Sequence, residues 1–158
     1  MDFHRAVQVL CDGGVEFVIV GGVAASLHGS VRIPFDLDIC YRRSAVNVKR
    51  LADVLKPLRP RPIGFPENLP FTWDEKTLRN ATVLTLQTEL GEIDLLAEVA
   101  GIGSFEEVQA VEAFERKVQT IDLRALIQAK RTAGREKDLS ALPELEGLAE
   151  AADNESGE

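Results

Sequence analysis

The chain is poor in several things, and each scarcity narrows what it can be. Two cysteines, Cys11 and Cys40, stand in 158 residues. That is too few for a disulfide scaffold, and their apolar neighbours suit buried thiols in a reducing cytoplasm. No apolar run reaches the ~20 residues of a membrane span. The longest, around Phe17–Leu27, carries two glycines and ends at His28. Met1-Asp2-Phe3-His4-Arg5 lacks the charged-then-apolar layout of a secretion signal. There is no internal repeat, and no linker long enough to divide the chain into separate domains. Gly-x-Gly-x-x-Gly is absent and no lysine follows Gly21-Gly22, so neither a dinucleotide fingerprint nor a P-loop is present. A membrane role is not expected.

What is there fits one domain, expected over residues 1–150, with a core removing roughly 70% of the unfolded chain's surface from water. Apolar residues make up 45% and charged ones 28%, ordinary for a globular protein. The net charge of -8 is unevenly spread. From Glu144 to Glu158 there are six acids and no base, and residues 151–158 are expected to form a disordered acidic tail. Arg42, Arg43, Lys49, Arg50, Lys56, Arg59 and Arg61 lie close together with Asp53 alone opposing them. Such a cluster is either a solvated helix face with a charged loop or an attractor of phosphate or nucleic acid.

Asp2 can cap a first helix with Phe3, Val7, Leu10 and Cys11 at helical spacing, closed by Gly13-Gly14. Val15–Val20 is a β-branched run that reads as a buried strand. Gly21-Gly22 then turns into a short helix, Val23 to His28. A second strand covers Asp36 to Tyr41, and Ser44 can cap a helix burying Val48, Leu51, Leu55 and Leu58. Five prolines between Pro57 and Pro70 predict a long ordered loop. Ala81–Thr88 and Glu92–Leu96 read as a hairpin, and Ser104 with Glu107 as a capping box. A further strand pair is expected near Val111–Phe114 and Lys117–Asp122. Two closing helices follow, Leu123–Ala133 and about Lys137–Glu150. The order predicts an α+β domain: a mixed sheet with helices packed on it and a C-terminal helical pair.

Chemistry concentrates at Asp36-Leu37-Asp38-Ile39. Residues two apart on a strand share a face, so Asp36 and Asp38 aim side by side. Two such carboxylates either stay hydrated or share a divalent cation, since magnesium favours one or two carboxylates plus phosphate oxygens. The buried strand ending in Gly21-Gly22 offers a close backbone approach for a nucleotide's phosphates. Asp94 lies within an apolar strand, where a carboxylate needs an ion pair or a metal. Lys130 continues the buried stripe of Leu123, Leu126 and Ile127 at helical spacing. It either snorkels outward or meets an anion, a phosphate or an aspartate.

Taken together, Val20-Gly21-Gly22, Asp36-Leu37-Asp38-Ile39 and Ile93-Asp94-Leu95 resemble the nucleotidyltransferase superfamily pattern. That pattern is a glycine pair, an aspartate-containing strand and a later third carboxylate. Gly21-Gly22-Val23-Ala24, His28-Gly29, Arg32, Lys130 and Arg135-Glu136-Lys137-Asp138-Leu139 resemble the small bacterial members related to abortive-infection toxins. The resemblance implies a minimal nucleotidyltransferase fold, with Asp36, Asp38 and Asp94 as catalytic and metal-binding residues. It implies two magnesium ions, manganese being an alternative. Nucleotide binding would fall to Gly21, Gly22, Arg32, Lys130 and Lys137. The implied reaction moves a nucleoside monophosphate from a nucleoside triphosphate to a hydroxyl on a tRNA end, a protein or a small molecule. A toxin–antitoxin or phage-defence setting with a cognate partner protein is implied too. Val23 and Leu27 depart from the toxin-type pattern, and Arg32-Ile33-Pro34 lacks its hydroxyl. A second reading therefore stands beside the first: a nucleotide- or partner-binding module of the same fold, without turnover.

Overall fold

The computed structural model describes residues 1–113 and 118–156. The elements run α1 (Phe3–Asp12), β1 (Phe17–Val20), α2 (Gly21–Leu27), β2 (Asp36–Tyr41), α3 (Ala45–Leu55) and a 3-10 turn at Lys56–Leu58. Then come β3 (Arg61–Pro62), α4 (Glu75–Asn80), the hairpin β4 (Val83–Thr88) and β5 (Gly91–Leu96), and the small ribbon β6 (Glu98–Val99) and β7 (Gly103–Ser104). A second 3-10 turn (Phe105–Glu107), β8 (Ala110–Ala113), β9 (Val118–Ile121), α5 (Leu123–Ala133) and α6 (Glu136–Ser156) complete the chain.

Seven strands form one mixed sheet in the order β3-β4-β5-β2-β1-β9-β8. β2 runs parallel to β5 and β1 parallel to β9, while the other neighbours are antiparallel. This is the α+β architecture the element order predicts. β1, with neighbours on both edges, is buried at all four positions, as a central strand covered on both faces must be. Alternation along β2 puts Asp36, Asp38 and Cys40 on one face and Leu37, Ile39 and Tyr41 on the other. Leu37 and Ile39, with Ile93 and Leu95 of β5, are at most 1% exposed. The Tyr41 hydroxyl donates to the Leu78 carbonyl of α4, and α1, α3 and α4 pack in sequence over that face. The aspartate face is bordered by α2 and α5, with α6 packed against α5.

The predicted caps are in place. Asp2 accepts from the Arg5 amide, Ser44 from the Asn47 amide, and the Ser104 amide donates to Glu107. Cys40 is fully buried, its thiol pushed up to about 12, chiefly by burial, and no disulfide joins it to Cys11. Among the described residues no helix is long and apolar enough to cross a membrane.

The expectations for the tail and the proline-rich stretch need correction, and the basic cluster can be placed. Residues 151–156 are not a disordered tail: α6 continues to Ser156 because Arg131 and Arg124 of α5 pair with Glu146 and Asp153 along it. The residues beyond Ser156, like the expected strand ends at Phe114 and Lys117, lie outside the described residues. The basic cluster is mostly committed internally. Arg42 pairs with Glu16 and Glu106, Lys49 with Asp53 and Arg59 with Glu89; Arg43, Arg50 and Arg61 donate to backbone carbonyls. The proline-rich stretch is not wholly irregular, since Arg61–Pro62 adds an edge strand to β4, where proline's missing N–H costs no ladder bond.

Asn47, 1% exposed, ties α3 to the β1 and β2 ends. Its Oδ1 accepts from the Glu16 amide at 2.7 Å, and its Nδ2 donates to the Glu16 and Arg42 carbonyls at 2.9 and 2.7 Å. Asn47→Ala would strand these groups, at a cost of about 2 kcal/mol. The expected melting temperature falls by ~4–8 °C; an unchanged thermal transition refutes this role.

Candidate functional site

The register of β2 on β5 builds the site. Asp36 pairs with Glu92 and Asp38 with Asp94, so four carboxylates stand in two adjacent rungs on one face. Carboxylate oxygens of Asp36, Glu92 and Asp94 all lie within 4.8 Å of one another. Asp38, paired with Asp94 across the next rung, completes the square. The expected convergence of Asp36, Asp38 and Asp94 is therefore present, with Glu92 as an unforeseen fourth member. Its signal lies in the sequence: Glu92-Ile93-Asp94 carries the same two-residue spacing as Asp36-Leu37-Asp38.

Such crowding has electrostatic consequences. Asp38 is pushed up to about 8, first by burial, then by its hydrogen bond to Asp94 and the charges of Asp36 and Asp94; Lys130 acts against this. Asp94 is raised by burial and by Asp36, while hydrogen bonds from Asp38 and Thr85 hold it down. Asp38 thus favours its protonated form. Glu92 is raised by desolvation and by Asp36 and Asp94, with Lys137 lowering it. Asp38 Oδ1 and Asp94 Oδ1 are sealed from solvent without a hydrogen-bond partner. Hard oxygen donors, mutual repulsion and orphaned buried oxygens all fit a divalent cation.

Gly21 closes one flank. Its φ is +65°, and a Cβ there would lie 2.0 Å from Asp38 Oδ2, so a side chain is excluded both by backbone conformation and by the carboxylate. Gly22 faces Pro34, where an added Cβ would approach to 3.2 Å. Gly21 and Asp38 share a cleft of about 130 Å³ with Lys130, Arg135 and Asp138, walled by Val20, Leu126 and neighbouring apolar groups. Lys130, whose side chain is 19% exposed, points inward to an anion, but the anion is Asp138 at 3.4 Å. Asp138 is 1% exposed and also receives the Arg135 amide and guanidinium, at 3.3 and 2.7 Å. Burial raises its pKa, but these cations and hydrogen bonds leave it below the usual carboxylate range.

Lys137 sits where its charge reaches Glu92. Arg32 donates to the Ser140 carbonyl at 2.8 Å, fastening the loop before β2 to α6. Glu144 grips the same loop through Ser30 Oγ and the Val31 amide. His28 caps α2 and hydrogen-bonds the Ile121 carbonyl at 2.7 Å through Nε2.

No protein-family model matches the chain, and no curated protein does either. Solved structures do. A crystal structure of ANT(2")-Ia in complex with adenylyl-2"-tobramycin aligns at a TM-score of 0.55 with 15% identity, over 97% of this chain and 95% of that one. A solution structure of the antibiotic-resistance factor ANT(2'')-Ia aligns at 0.51 with 14% identity, over 99% of each. The fold is that of these proteins: a nucleotidyltransferase-like one.

The raised Asp38 gives a testable pH dependence. Its folded value near 8 exceeds the unfolded 3.8, so the native state retains a proton that the unfolded chain releases. Cation-free stability contributed by this group is therefore present below pH ~4 and lost progressively up to pH ~8. In chelator, Asp38→Asn is expected to match wild type near pH 4 and to exceed it by several kcal/mol at pH 8. Parallel melting curves across this range would refute the assignment.

Proposed function

We propose that the chain is a divalent-cation-dependent nucleotidyltransferase, moving a nucleoside monophosphate from a nucleoside triphosphate to an acceptor hydroxyl. One observation carries the reading: paired carboxylate rungs on β2 and β5 abut a glycine that Asp38 itself keeps free of a side chain. The nucleotidyltransferase-like fold supports it.

Asp36, Glu92, Asp94 and Asp38 would hold magnesium, or manganese. When bound, the metal offsets triphosphate charge and favours ionisation of the attacking hydroxyl. Gly21 and Gly22 receive phosphate oxygens at the backbone. Lys130 has three N–H donors; one reaches Asp138, and the ammonium borders the cleft it shares with Asp38. Arg135 and Lys137 add positive charge beside the carboxylates. Asp138 positions Lys130 and Arg135. The acceptor hydroxyl gives its proton to a carboxylate of the cluster. Its oxygen bonds to the α-phosphorus as the bond from that phosphorus to the pyrophosphate oxygen breaks.

For the acceptor we favour a small molecule. The neighbouring ANT(2")-Ia structure holds a nucleotide-modified tobramycin, and the basic cluster that could grip a tRNA end is largely spent on internal partners. A cytoplasmic toxin–antitoxin or phage-defence setting rests on the sequence resemblance alone. Arg32 is better read as a strut for the loop than as a nucleotide ligand.

Magnesium with ATP, or another nucleoside triphosphate, is expected to raise the melting temperature by several degrees. Asp36→Asn should abolish that gain while the cation-free fold persists. With α-labelled triphosphate, Asp38→Asn should lower transfer at least 100-fold. No stabilisation by any of the four common triphosphates, or full transfer by Asp38→Asn, overturns the reading; binding without transfer to any acceptor favours the non-catalytic module.

A further inference from the structure

The carboxylate face does not end at β5. Strand pairing extends each rung onto β4, where Glu92 faces Gln87 and Asp94 faces Thr85, and Gln87 is paired in turn with Arg61 of β3. Directly paired residues share a face. One row therefore runs Asp36, Glu92, Gln87, Arg61, with ~4.8 Å between neighbouring strands. At its end, Arg61 lies over the Phe65 ring at 5.4 Å, and Phe65 packs on Phe71 at a centroid distance of 5.4 Å.

The two flanks of the carboxylates differ in what they offer a phosphate. On the β1 side stand Gly21, Lys130 and Arg135, in the cleft beside Asp38. On the β3 side, the Arg61 guanidinium is occupied by the Pro66 and Leu69 carbonyls and the Phe65 ring. Pyrophosphate belongs on the first flank, where the Gly21 backbone and the remaining N–H donors of Lys130 can meet its oxygens. In-line displacement requires the attacking oxygen to arrive from the opposite side of the phosphorus. That side is β4 and β3.

We infer that the acceptor lies over β4 and β3, against Gln87 and the half-buried Phe65–Phe71 pair, and that it is a ring with one flat apolar face and hydroxyls on its rim. An aromatic wall with a few polar groups is how proteins grip such ligands. The 63–73 segment is held beside this row by bonds to its neighbours. Arg61 pins its first half by two carbonyls, the Ile63 amide donates to the Thr85 carbonyl, and Trp73 Nε1 fastens its far end to Ala52 of α3 at 2.8 Å. The inference rests on the transferase reading and adds to it the place and chemistry of the acceptor.

The test is calorimetry on the full chain with magnesium and a non-hydrolysable ATP analogue, followed by tobramycin or adenosine as the ring probe. These two arms separate a glycoside from a nucleoside. At least one probe should bind the nucleotide-loaded protein. Phe65→Ala and the exposed-site variant Gln87→Ala should each weaken it about tenfold, with Phe65→Tyr near wild type and nucleotide affinity changed less than twofold. No nucleotide binding overturns the transferase reading and this inference with it. Nucleotide binding without either probe, unchanged probe affinity in both alanine variants, or equal losses of nucleotide and probe overturns the acceptor assignment alone.

Discussion

Four carboxylates on two neighbouring rungs of a parallel strand pair are the constraint around which the rest of the site is arranged. Like charges this close disfavour ionisation, and burial disfavours it further. One result is that Asp38, beside Asp94, is pushed towards its protonated form. A second is steric: Asp38 occupies the space where any side chain on residue 21 would go, which is why the strand-to-helix corner is glycine at φ +65°. A third is the cationic frame of Lys130, Arg135 and Lys137, whose charges act on Asp38 or Glu92. The frame cannot settle onto the carboxylates completely, because Asp138 holds two of its members.

A sheet can carry such a load only if its other face is strongly stabilising. Beneath the aspartates, Leu37, Ile39, Ile93 and Leu95 are essentially solvent-free. Full burial of one such side chain is worth ~1.5–3 kcal/mol. The two-residue period that presents the acids therefore also presents the apolar residues that tolerate them. Stability and function share one register, and a one-residue slip of β2 against β5 would invert both faces at once.

Much of this is legible in the sequence because it follows from short-range periodicity. The strand expected from Asp36 to Tyr41 matches β2 at both ends, and Ser44 and Ser104 signal their turns by local chemistry. The Asp36, Asp38 and Asp94 convergence follows from strand alternation plus the resemblance. Glu92 escapes notice because it stands at the polar start of its strand, although the same alternation reaches it. Other features are invisible for a physical reason. The Lys130–Asp138 pair joins two helices, and its geometry depends on the turn at Gly134 (φ +63°). The pairing of β3 with β4 is long-range and only two residues long, and proline hides it further. Nor does sequence tell that Arg32 reaches a carbonyl on α6.

The acidic C-terminal helix shows why net charge is a poor guide to partners. Read as composition, Glu144 to Glu158 is an unopposed negative segment. In the fold three of its acids have partners: Glu144 on the loop before β2, Glu146 and Asp153 on the arginines of α5. Through them α6 braces α5, which carries Lys130, and restrains the loop that delivers Asp36. Individually, exposed pairs of this kind contribute little stability. Their effect is to fix where two elements stand, and those two elements bracket the carboxylates. The acids of α6 thus hold in place the helix that carries Lys130 and the loop that leads to Asp36, on two sides of the carboxylates.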